Sequence, residues 1–202
     1  MTDYATRAEA KAILGIASSD TTEDTLVDTL ITAASSAIDQ YCDRPAGFGP
    51  QGSQTRYYTA YDYYRIDVDD LLTVTSLATD DGIDGTYSQV WAAGTYNLMP
   101  YNAALAGHPY TSIESSDTSI LNFPKDSTKG VRIIGTWGWA AIPAAIKQAT
   151  LMEVAKLYAS RNAPFGVVGT GDAGGVTRMS SRMHPAAQAL LDPYRNRKGS
   201  AV

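Results

Sequence analysis

The hydrophobic repeat of this chain changes period twice. From residue 6 to 42, and again from 143 to 161, apolar side chains recur three and four residues apart, as on one helix face. Between them, residues 54–137 hold short runs of Thr, Tyr, Val and Ile separated by turn residues, the pattern of strands. Helix, then strand, then helix again argues against alternating βαβ units. It predicts an α+β fold: a small bundle of four helices interrupted by a β-rich insertion. The expected parts are 1–45 (N-terminal helices), 46–142 (insertion) and 143–202 (C-terminal helices, a glycine-rich loop and a basic arm).

Local signals set the element ends. Thr6 and Glu9 form a capping box at the start of a helix over 6–14, and Gly15 stands where a C-cap belongs. A longer helix over 22–42 carries Leu26, Leu30, Ala33, Ala34, Ala37, Ile38 and Tyr41 on its apolar face. It stops at Asp43-Arg44-Pro45, because the residue before a proline is pushed out of the α region. Candidate strands are Thr55–Thr59, Tyr63–Val68, Val74–Leu77, Val90–Trp91 with Tyr96–Met99, and Val131–Trp137. Pro143 suits the first position of the next helix, where its missing N–H costs nothing. A last short helix over 185–195 places Leu190, Leu191 and Tyr194 on one face.

Composition narrows the chemistry. One cysteine, Cys42, excludes an internal disulfide framework and a multi-cysteine zinc site. Two histidines, His108 and His184, each precede a proline and read as surface or capping residues. Neither forms a nucleophile–base–acid pattern with Ser, Thr or Cys42. No cofactor is expected. Gly169–Gly174 matches G-x-G-x-x-G, but the dinucleotide fingerprint needs a strand before it and a helix after it, and a mobile connector explains it better. Asp80–Gly85 lacks the ligand spacing of an EF-hand and reads as a turn. The acidic pairs Glu23-Asp24, Asp69-Asp70 and Asp80-Asp81 leave a carboxylate hydrolase open without selecting one pair. No signal-peptide core and no run of about 18 apolar residues is present, so a soluble, non-exported protein is expected.

Tyrosine is the aromatic excess, 13 against 3 Phe and 3 Trp. Five stand together: Tyr57, Tyr58, Tyr61, Tyr63 and Tyr64. They suit sheet packing or a subunit interface. Charge is uneven as well. Residues 1–159 carry 10 basic and 19 acidic side chains, while 160–202 carry six and two. A basic C-terminal end on an acidic body reads as an interaction tail or as a solubilising one.

Several segments in order resemble the head–tail connector (adaptor) proteins of tailed bacteriophages. They are Glu9–Ile16, Leu30–Pro45 (LITAASSAIDQYCDRP), Thr55–Thr59 (TRYYT), Gly130–Pro143 (GVRIIGTWGWAAIP) with Ala144–Gly166, and Leu190–Arg195 (LLDPYR). The resemblance implies a structural, non-enzymatic virion protein in the neck between capsid and tail, assembled in the host cytoplasm. It implies a ring of twelve copies under the portal protein, extending the DNA channel and docking the next connector or tail protein. DNA would pass through the lumen without sequence-specific binding, and no membrane is involved. A stopper or tail-completion protein of the same neck is the alternative. The expected portal-binding residues are Leu190, Leu191, Tyr194, Arg195, Arg197 and Lys198. The five tyrosines are the expected subunit interface.

Overall fold

In a computed structural model of the chain, residues 2–117, 119–161 and 182–196 are described, together with two strands at 167–169 and 176–178. The chain divides into two compact units, one from Met1–Phe48 with Ile142–Val202 and one from Gly49–Ala141. The described elements give four helices and a six-stranded antiparallel sheet, an α+β fold.

The first unit begins with α1 (Arg7–Leu14). Its capping box is complete, since the Thr6 side chain accepts from the Glu9 N–H and the Glu9 carboxylate accepts from the Thr6 N–H. Gly15 closes the helix at φ 71°, a left-handed conformation that glycine adopts without strain. α2 (Asp24–Tyr41) packs against α3 (Ala144–Ser160), and α3 against α4 (Pro185–Leu191). Ala10, Val27, Ile31, Ala34, Leu151 and Val154 form one buried cluster.

The buried stripe of α2 is Val27, Ile31, Ala34, Ser35, Ile38 and Asp39, so it lies about one position round from the expected face. Leu26 is exposed. The reason is polar: Ser35 and Asp39 are buried because they hold Tyr4. The Tyr4 N–H donates to Ser35 Oγ (3.1 Å), and its hydroxyl donates to Asp39. Pro143 is the N-cap of α3, with extended ψ 143°, rather than its first helical residue. α4 is shorter than expected. Pro193 cannot donate to a helical carbonyl, and Asp192–Tyr194 tightens into a 3-10 turn.

The second unit is built on β1 (Pro50–Tyr58), β2 (Arg65–Thr79), β3 (Gln89–Trp91), β4 (Tyr96–Met99), β5 (Tyr110–Ser115) and β6 (Val131–Gly138). The order is β1-β6-β2-β5-β4, with β3 also on β2. The expected strand Val74–Leu77, and the expected strand Tyr63–Val68 from Arg65 onward, are parts of the single 15-residue β2, while Tyr63 and Tyr64 precede it. Its first half pairs with β5 and its second with β6 and β3, with register shifts at Leu71 and Val74. β5 has no counterpart among the expected strands. Its buried pair is Ser112 and Ile113, adjacent residues of opposite polarity, so it shows no alternation of apolar side chains.

Alternation is clear on β6, where Val131, Ile133, Gly135 and Trp137 are buried. They pack with Ile66, Val68, Leu71, Leu77, Trp91, Ile113 and Phe123. Gly135 is required there, because a Cβ would lie 2.1 Å from the Thr73 carbonyl oxygen. Gly138 (φ 89°) is required too, since a Cβ would meet the Gly49 carbonyl oxygen, which accepts from the Trp139 N–H.

The run expected as a mobile connector contains two strands, β7 (Val167–Gly169) and β8 (Val176–Arg178), paired antiparallel. The remaining residues of G-x-G-x-x-G lie outside the described residues. A strand, not a helix N-terminus, comes after the motif.

Candidate interaction surfaces

The C-terminal residues divide by burial. Leu191 is fully buried and Leu190 half-buried, so Leu191 has its apolar surface inside its own unit. Beyond it, residues 192–196 are strapped to the end of α2. The Tyr41 hydroxyl donates to Asp192 Oδ1 (2.6 Å), which holds the phenol above its ordinary pKa. Arg44 Nε donates to the Tyr194 carbonyl (2.8 Å), and the Tyr194 ring meets Phe48 edge-on with centroids 6.0 Å apart. The Asn196 N–H donates to the Cys42 carbonyl (2.7 Å). Arg195 is exposed, with its guanidinium 5.3 Å from the Tyr41 ring centroid. Arg197 and Lys198 lie outside the described residues.

Through Phe48 the strap adjoins a buried polar pair, Tyr4 and Asp39. Burial raises the Asp39 carboxyl, outweighing the Tyr4 hydrogen bond that lowers it. The Tyr4 hydroxyl also accepts from the Phe48 N–H (3.0 Å). Cys42 is buried beside this pair, and desolvation pushes its thiol up to about 12, which makes it a poor nucleophile.

The five tyrosines do not act as one group. Tyr58 belongs to the core: its ring lies 5.9 Å from Trp137 and its hydroxyl donates to Asp69 (2.9 Å). Tyr57 is half exposed and packs at 5.6 Å on Tyr87, whose ring faces the Arg132 guanidinium. Tyr61, Tyr63 and Tyr64 are exposed on the turn between β1 and β2, 78 % in the case of Tyr61. The Tyr63 and Tyr64 carbonyls accept from Phe123 and Ser115, so the turn is fixed against the end of β5 and the segment after it. Ile120 on that segment is 95 % exposed.

Each histidine has a capping or packing contact. His184 Nδ1 accepts from the Ala186 N–H (3.2 Å) and caps α4. The His108 ring lies 5.1 Å from Trp139. Asp80 folds its own turn by accepting from the Asp84 and Gly85 N–H groups. Among the described residues, no three His, Cys, Asp or Glu side chains are grouped to hold a metal ion. No described helix is long and apolar enough to cross a membrane.

The two units carry charge differently. Residues 49–141 hold five Lys and Arg against ten Asp and Glu, and the rest of the chain holds eleven of each. The whole net charge of -5 therefore belongs to the β unit.

No family model matches the chain, and no curated protein matches it. Solved structures do. A chain of the neck of an empty gene transfer agent (GTA) particle, computed with C6 symmetry, superposes with a TM-score of 0.53 at 19 % identity, over 94 % of this chain and 88 % of that one. A chain of the native GTA virion gives a TM-score of 0.48 at 20 % identity, over the same shares. The neck chain shares the fold.

Proposed function

We propose that this protein is a structural component of the neck of a phage-like particle, a head–tail adaptor that forms a ring under the portal. The carrying observation is the fold shared with a neck chain along nearly the whole length of both, insertion included. The sequence resemblance to phage connectors supports the same reading from separate residues. The ring is proposed to hold twelve copies, the number that the sequence resemblance implies.

In this reading the protein works without a catalytic group. The ring extends the channel from the portal towards the next connector or tail protein, and assembly takes place in the host cytoplasm. The acidic β unit suits a surface past which DNA slides, because few Lys or Arg means few phosphate contacts. The basic C-terminal end reaches the portal. Arg195, Arg197 and Lys198 supply the charge, the accessible parts of the half-buried Leu190 and Tyr194 supply apolar contact, and Leu191 anchors the arm to its own bundle.

Negative-stain imaging of the purified protein, with and without purified portal rings, tests the assignment. Rings stacked on one end of the portal are expected. Failure to decorate portals at any concentration overturns the adaptor role.

A further inference from the structure

The main path of the β sheet ends in β1 and β4, and the three-residue β3, paired with β2 alone among the described strands, is a further short edge. Among the described residues, no strand pairs with the outer side of β1 or β4. A free edge is a row of unpaired N–H and C=O groups, and monomeric proteins blunt it with lysines, prolines or bulges. β1 is nine residues long, with Ser53, Gln54, Thr55 and Tyr57 exposed. Its proline and its register shift are confined to Pro50–Gly52. Its single charged side chain, Arg56, is neutralised within the unit: it lies 4.3 Å from the Trp137 ring centroid and pairs with Asp69 at 3.0 Å.

The other edge is equally bare. β4 lies inside the stretch 85–113, which contains no Asp, Glu, Lys or Arg. The unit is not short of charge, with fifteen such residues in all, but Arg56 alone of them stands on either strand. Neither edge therefore carries a repulsive or strongly hydrated side chain against the other.

We propose that β1 of one copy pairs with β4 of a neighbouring copy, making one sheet continuous across subunits. Strand addition draws its attraction from main-chain hydrogen bonds, which need an open, uncharged edge on each side. Two different edges meet, so the contact is heterologous, and repetition about an axis closes a ring. The inference rests on the proposed ring and names the elements that make it.

Hydrogen exchange on the free chain and on assembled rings tests it. Amides within 50–58 and 96–99 should slow by about tenfold or more on assembly, since exchange reports the opening of each hydrogen bond. The double variant Ser53→Lys with Thr55→Lys, at two exposed positions, should form at least about tenfold fewer rings while keeping its melting temperature. Rings without slowed exchange at both edges overturn the pairing and leave the ring reading standing. A lysine variant that assembles like the wild type does the same. If the wild-type chain forms no ring even on portals, both fall. If the lysine pair prevents folding, the wild-type exchange measurement decides alone.

Discussion

At the scale of single residues, Asp39 and Glu9 show how opposite environments give carboxylates opposite pH behaviour. Burial raises Asp39. Its contribution is present below the unfolded carboxylate range, about pH 4, and is lost as the pH rises through the folded value. Glu9 is held at about 2, first by the Thr6 N–H and then by Lys147, whose Nζ lies 2.9 Å away. Its contribution is present above the unfolded range and is lost only as the pH falls towards 2. Asp39→Asn should therefore gain stability relative to the wild type between about pH 4 and about pH 7. Thermal melts at the two pH values measure this, and a constant difference would count against it. The tyrosines also separate at this scale. Tyr58→Ser removes a ring from the core and should cost about 3 kcal/mol. Tyr57→Ser loses one exposed aromatic contact and should cost at most about 1 kcal/mol. Urea denaturation of both variants checks the ranking.

At the scale of elements, β2 organises the insertion. One strand serves two sets of partners because it changes register at Leu71 and Val74. Close approach of β2 and β6 depends on Gly135, since a Cβ there would collide with the Thr73 carbonyl oxygen. Backbone cannot yield as a flexible side chain does. Gly135→Ala should therefore cost about 3 kcal/mol, at the upper end of overpacking penalties, and should broaden or split the unfolding transition of the β unit. An unchanged melting curve would show that the two strands separate without loss. Capping and turn signals made α1 legible almost to the residue, since Thr6, Glu9 and Gly15 act locally. β5 was not legible, because Ser112 takes a buried place that a sequence pattern assigns to an apolar residue. The stripe of α2 was misplaced for a related reason: Ser35 and Asp39 are buried by Tyr4, which lies more than thirty residues away.

At the scale of the whole molecule, charge is divided between the two units. The chain reads as an acidic body with a basic end, but all of the excess acid is in the β unit and the helical unit is balanced. The C-terminal segment likewise has two parts. Residues up to Asn196 are structural, strapped to α2 and the turn after it through Tyr41, Arg44, Phe48 and Cys42. Arg197 and Lys198, which follow the strap in sequence and lie outside the described residues, belong to the proposed portal contact. Truncation after Asp192 would remove the strap with the arm and confuse folding with binding. Truncation after Asn196 should keep the melting temperature and weaken portal association, most visibly at low salt, where exposed charges are least screened. Pull-down on portal rings at two salt concentrations measures it. Undiminished association would place the contact elsewhere on the chain.

The sequence by itself determined the succession of helix, strand and helix, because hydrophobic period and capping are written in neighbouring residues. It also determined the absence of an internal disulfide, from a single cysteine. Tertiary structure alone decided which tyrosines face the core, that Leu191 is an internal anchor and that Asp39 is buried. Each of these depends on a partner distant in the chain: Trp137 for Tyr58, α3 for the α4 that carries Leu191, and Tyr4 for Asp39. Only the assembled sheet, too, revealed that β1 and β4 end its main path, since strand order comes from pairing across the sheet and not from succession along the chain.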